Sequence, residues 1–139
     1  MNKKAVKAFK KELENYSFYK TNLKGILELI AYNEYLLQNV HGINPQKEPS
    51  HSSGSKQWQE TDTYHRIRSE LDRLEKRRDL RIRQIEYIES VLDKLDPETR
   101  DVIKRIYLKG ESYYDISRQK YMSKSALFEK IERKIGRFL

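Results

Sequence analysis

The chain has 139 residues and a net charge of +8, with 29 Lys and Arg against 21 Asp and Glu. Charged residues make up 36% and hydrophobic ones 37%, which is lean for a compact globule, yet the apolar residues are too regularly spaced for a fully disordered chain. The lack of cysteine excludes disulfides and thiolate metal sites, and five glycines with three prolines make an all-α protein the expected class.

The positive excess sits at both ends of the chain and is richest over 96–139. An excess of this kind supports attraction to nucleic acid or anionic surfaces. The longest apolar run, ILELIAY, contains a glutamate and is far too short to span a membrane. The basic start MNKKAVKAFKKELE is followed by no apolar segment of the signal-peptide kind. A soluble, cytoplasmic protein with no membrane partner is expected.

In chain order, residues 3 to about 40 read as one long helix. Val6, Phe9, Leu13, Tyr16, Leu23, Leu27, Ile30 and Leu37 recur in alternating steps of three and four, interrupted at Lys20 and Glu34. That spacing buries a helix along one narrow seam. The stretch HGINPQKEPSHSSGSKQWQE, 41–60, then reads as a flexible, partly disordered loop. Gly42 can end the helix, Pro45 and Pro49 prevent its resumption, and Trp58 is expected to pack back on the helices.

A second long helix is predicted from about Asp62 to Leu95, with Ile67, Leu71, Leu74, Ile85, Ile88, Leu92 and Leu95 on its seam. Arg78 and Arg81 take the two remaining seam positions. Two such helices joined by a loop form either an intramolecular antiparallel hairpin or an intermolecular coiled coil, and either pairing uses the same apolar residues. A symmetric hairpin would bring Lys20 near Arg81, so that acids such as Glu75 or Asp79 must lie close or the seam must open. These long side chains either snorkel to water or form a patch for a partner or for register.

Residues 96–139 read as a separate domain from the long-helix region, 1–95. Asp96 is a good N-cap, Pro97 suits the first turn, Glu98 favours the positive end of the dipole, and Gly110 supplies the stop. Val102, Ile103, Ile106 and Tyr107 form the apolar face between them. Ser112 caps a two-turn helix with Asp115 as a capping-box-like partner, and Tyr113 or Tyr114 faces inward with Ile116. Ser117 is small where helices cross, Met122 plugs the corner, and Ser123 caps a last helix whose buried stripe is Leu127, Ile131 and Ile135.

This is the layout of a helix-turn-helix, in which a first helix braces a second whose N-terminal turn enters the major groove of double-stranded DNA. The recognition helix would begin at Ser123, with Lys124, Ser125, Ala126, Phe128 and Glu129 nearest base edges. Ser112, Tyr113, Arg118, Ser123, Lys130, Arg133, Lys134 and Arg137 would hold phosphates.

Residues 92–135, LDKLDPETRDVIKRIYLKGESYYDISRQKYMSKSALFEKIERKI, resemble region four of bacterial sigma factors. Asp115-Ile116-Ser117 falls on the acid-Ile-Ala element of that family and Met122-Ser123 on its apolar-Ser corner, while Leu92, Leu95, Arg100, Ile103, Tyr107 and Gly110 match the preceding helix. Lys120 stands where a buried leucine is common, and Tyr121 fills a turn usually held by glycine. Either a wider turn or a strained tyrosine follows.

The whole-chain plan is similar to that of ArpU/RinA-type regulators of phages and mobile elements. That resemblance implies a transcriptional activator of late genes in a bacterial host cell, binding upstream of a late operon and touching host RNA polymerase. Helix-turn-helix regulators often pair to read two half-sites, so a homodimer is expected, with the seams as its surface. The alternative is a non-catalytic helical adaptor that docks on RNA polymerase or another protein without a specific DNA site. His41, His51 and His65 are too scattered for a metal site, and no phosphate-cradling glycine loop or serine elbow occurs. No catalytic residue, cofactor or metal is expected.

Overall fold

The computed structural model describes residues 2–42 and 54–139, with the side chains of 2–40 and 61–139. Among the described residues the chain is all α-helix: α1 (Lys3–Gly42), α2 (Gly54–Lys94), α3 (Pro97–Tyr107), α4 (Tyr113–Gln119) and α5 (Lys124–Gly136). α1 and α2 form a hairpin within one chain, and α3, α4 and α5 pack together after it. The seams expected to serve a hairpin or a coiled coil are therefore used inside the chain.

Most of the expected loop 41–60 lies outside the described residues, as does the side chain of Trp58. At its edges α1 reaches Gly42, whereas α2 begins at Gly54 rather than near Asp62. After Pro49 no residue up to Asp62 lacks a backbone N–H, and a glycine at a helix start adds little strain.

The chain divides into two compact units, Met1–Thr21 with Ile82–Leu139 and Asn22–Arg81. In the second unit, Ile26 and Ile30 of α1 meet Ile67, Leu71 and Leu74 of α2, with Leu36, Leu37 and Val40 packed against them. Arg81, expected on the seam, donates from Nε to the Asn22 side-chain oxygen at 2.8 Å. Arg78 pairs with Asp79 at 3.1 Å, so the guanidinium groups reach polar partners instead of sinking into the core.

The seam of α1 is shifted from the expected one. Leu13, Tyr16 and Tyr19 are all buried, two successive steps of three, and the phase then runs through Ile26 and Ile30. Tyr19 thus takes the place predicted for Lys20, and Ile26 is buried while Leu27 is 46% exposed. An extra short step of this kind displaces the apolar stripe locally, and by Ile30 and Leu37 the expected phase is restored. In the first unit Lys20 is exposed, 3.9 Å from Glu89 and 5.1 Å from the Tyr16 ring centroid. The Tyr16 hydroxyl donates to the same Glu89 at 2.6 Å, and burial together with that carboxylate raises its pKa.

The remaining core of the first unit runs from Val6, Phe9 and Leu13 through Ile85, Ile88, Val91, Leu92 and Leu95 to Val102, Ile103, Ile116, Leu127, Ile131 and Ile135. The Arg100 guanidinium donates to the carbonyls of Leu92, Asp93 and Leu95 at 2.9 to 3.2 Å, closing the C-terminal end of α2 where backbone acceptors lack helical partners. No helix among the described residues is long and apolar enough to cross a membrane.

Candidate nucleic-acid interface

The three short helices begin on the three expected caps. Asp96 accepts from the Thr99 N–H at 3.0 Å and from the Thr99 hydroxyl, and Lys134 of α5 reaches the same carboxylate at 3.2 Å. Those hydrogen bonds, with Thr99 first, hold the Asp96 carboxyl well below the usual carboxylate range. Ser112 accepts from the Asp115 N–H at 3.1 Å, and Ser123 from the Ala126 N–H at 3.0 Å. Each serine hydroxyl keeps its own proton, which it can give to a phosphate oxygen while the cap bond persists.

α3 ends with the Lys109 N–H bonded back to the Lys104 carbonyl and Gly110 at φ +72°. Arg105 then ties the turn. Its guanidinium grips both Glu111 oxygens, at 2.8 and 3.0 Å, and donates to the Gln119 side chain at 2.7 Å. α4 ends with the Met122 N–H on the Ser117 carbonyl and the Tyr121 N–H on the Arg118 carbonyl. This pair of bonds defines a Schellman close, whose left-handed position is usually glycine. Here it is Tyr121, at φ +55° and 97% exposed. Of the two expectations for this turn, the strained tyrosine is the one found.

Ile116 and Ser117 of α4 are fully buried, and Ser117 bonds its own helix through Tyr114 O at 2.8 Å. Tyr113 is the inward tyrosine, and Tyr114 is exposed with Arg118 5.7 Å from its ring centroid. Lys120, for which a buried position was in question, runs to the first turn of α3 and meets Glu98 at 3.2 Å. The lysine therefore fits without a buried charge.

Leu127, Ile131 and Ile135 hold α5 against α3 and α4 and leave the face opposite them exposed. Ser125, Glu129 and Arg133, four residues apart, share one exposed face, with Ala126 and Arg137 beside it. Lys124 is exposed in the first turn. Three of the residues expected at base edges, Ser125, Ala126 and Glu129, thus come together with Arg133, which was expected on phosphate. A serine can donate or accept at any base edge, a glutamate can accept from cytosine, and an arginine can grip guanine bidentately.

Phe128 lies apart from that face. Its ring stacks obliquely on Tyr113, with centroids 5.7 Å apart, and the Lys10 ammonium of α1 sits 3.5 Å from its centroid. The same ammonium meets Glu132 at 3.2 Å. The Tyr113 hydroxyl, expected on phosphate, shares a 2.9 Å hydrogen bond with Tyr107, and burial raises the pKa of both phenols. Ser112, Arg118, Ser123, Arg133 and Arg137 are exposed, Lys130 is half-buried, and half-buried Lys134 is occupied by Asp96.

Sequence reasoning missed the flank made by α1. Lys3, Lys7, Lys10 and Lys11 line a groove of about 500 Å³ against Phe128 and Glu132 of α5, with Val6 and Glu14 also lining it. The four-residue spacing of Lys3, Lys7 and Lys11 is visible in the sequence, but their position beside α5 is tertiary information. No family model matches the chain, and neither does any curated protein or solved structure.

Proposed function

We propose that the protein is a sequence-specific DNA-binding transcription regulator whose recognition helix is α5, starting from its Ser123 cap. The observation that carries the reading is the α4–α5 corner. α4 closes at Tyr121, α5 restarts three residues later, and the new helix buries one stripe while exposing Ser125, Glu129 and Arg133 together. A helix braced on one side and free along a polar, charged face suits insertion into a major groove. The serine caps and Arg118 supply donors for phosphates, which fix position without choosing sequence.

The finer reading follows the resemblance to ArpU/RinA-type regulators: an activator of phage or mobile-element late genes in the bacterial cytoplasm, in contact with host RNA polymerase. A homodimer belongs to it as well. The seams are occupied within the chain, so the dimer surface would be the exposed Leu27, Leu29, Tyr32 and Tyr35 of α1. The same exposed apolar residues favour the second reading, an adaptor that docks on a protein through α1 and has no DNA site of its own.

Selection of bound fragments from a genomic library with the purified full-length chain, followed by footprinting, separates the two. The regulator protects a defined site with affinity that falls steeply as salt rises. The adaptor binds every duplex weakly and equally. Sizing of the selected complex gives the number of chains per site.

A further inference from the structure

The α1–α5 groove is built unlike an ordinary solvated lysine face. Lys10 is only 14% exposed at its side chain and is consumed structurally, held between Glu132 and the Phe128 ring. Lys3, Lys7 and Lys11 remain around it, exposed, and none has a carboxylate within ion-pair distance among the described residues. They are four residues apart, so successive ammonium groups are separated by a helical rise of about 6 Å. Glu14 is the one acid lining the groove that is not already paired with Lys10.

The opposite wall belongs to α5. Phe128 and Glu132 line the groove, and Lys124 lies four residues before Phe128 on the same side of the helix, exposed in the first turn. Lys124 therefore adds a cation one turn before Phe128, in the N-terminal turn of the helix proposed to enter DNA. A duplex seated on that turn carries phosphates along its groove edge, two base-pair steps of one strand advancing about 6.8 Å. The lysine spacing on α1 is close to that advance. Lysine suits the role, being a flexible point charge that needs no bidentate geometry.

We infer that the lysine row Lys3, Lys7 and Lys11 is a second phosphate-binding site, taking the sugar-phosphate strand that flanks the segment read by α5. The inference rests on the DNA-binding reading and adds to it: α1, outside the helix-turn-helix, is part of the DNA footprint. Lys10 is the positioning residue of the site, since its bonds to Phe128 and Glu132 fix α1 against α5.

The test uses the full chain, its selected duplex, and the triple variant K3Q/K7Q/K11Q, with helicity and melting checked by circular dichroism. The slope of log affinity against log salt should fall by about 2 to 3, at roughly 0.9 per lost phosphate contact, with base preference unchanged. A charge-matched variant in the other unit, K24Q/K76Q/R77Q, removes three exposed cations and should leave the slope nearly as it was. An unchanged slope in K3Q/K7Q/K11Q overturns the inference and leaves the DNA-binding reading standing. An equal fall in both variants also overturns it, by making the effect one of net charge. If the wild-type chain shows no salt-dependent binding to any duplex, the DNA reading falls and this site with it. Wild-type DNA binding by K3Q/K7Q/K11Q alongside lost capture of an acidic peptide would assign the groove to a protein partner instead.

Discussion

The α3–α4 and α4–α5 turns share one backbone feature and hold different residues in it. Each closes a helix through a left-handed position, Gly110 at φ +72° and Tyr121 at φ +55°. Glycine adopts that conformation freely, while a residue with a Cβ is strained there by roughly 1–2 kcal/mol. The Tyr121 ring is almost wholly exposed, so packing does not offset the strain. The bonds that do offset it lie on either side: the Schellman backbone pair at Ser117 and Arg118, and the Ser123 side-chain cap two residues on. A helix corner can therefore hold its geometry from both sides even when its turn residue resists.

Removing what both turns share should have the largest effect. α4 has seven residues and lies between the two turns, anchored by Ile116 at 0% exposure. Ile116→Ala should destabilise the first unit by about 2–5 kcal/mol and loosen both corners together, read as a drop in the denaturant midpoint. Next is Gly110→Ala. A Cβ there meets nothing within 4 Å, so the loss of about 1–2 kcal/mol would come from backbone strain alone. Tyr121→Gly is the converse and should stabilise by about 0.5–1 kcal/mol, the relief of strain being partly offset by added freedom in the unfolded chain. If Tyr121→Gly is destabilising, the side chain has a structural role that its exposure conceals.

Acid should affect the two ends of α3 more than the α4–α5 corner, and this is the smallest effect expected. Asp96, starting α3, and Glu111, in the α3–α4 turn, both have pKa values held down by their hydrogen bonds, from Thr99 and from Arg105. Each carboxylate contributes stability that is complete above its unfolded pKa, near 4, and is lost as pH falls through the folded value. The α4–α5 corner is closed by the Ser123 cap and backbone bonds, which do not titrate there. Melting between pH 6 and pH 2 should therefore show a loss that Asp96→Asn reduces and Ser123→Ala does not. Ser123→Ala should instead lower stability by about 1 kcal/mol at every pH.

Local chemistry was legible in the sequence, and phase and distant contacts were not. Asp96, Ser112, Ser123 and Gly110 could be read because a cap or stop is decided within four residues. The seam of α1 departs from the expected one at Tyr19 and Ile26, one residue early in each case, and returns to it at Ile30 and Leu37; Lys20 and Leu27 fit the regular three-and-four pattern equally well. Strain at Tyr121 was one of two open alternatives, and the backbone bonds decide between them. The Lys120–Glu98 pair and the Lys10–Phe128 contact join residues 22 and 118 positions apart, so no local pattern could have shown them. The candidate recognition face was readable in its members and not in its division, since Phe128 turns to α1 while Arg133 joins Ser125 and Glu129.

The most direct test is the base preference of the full chain with that face altered. Sequence selection is compared between the wild type, S125A/E129A and R137Q. The account predicts a defined motif for the wild type, a changed motif for S125A/E129A, and the wild-type motif at lower affinity for R137Q. An identical motif in all three, or none in the wild type, would contradict the assignment of α5 as the helix that reads DNA.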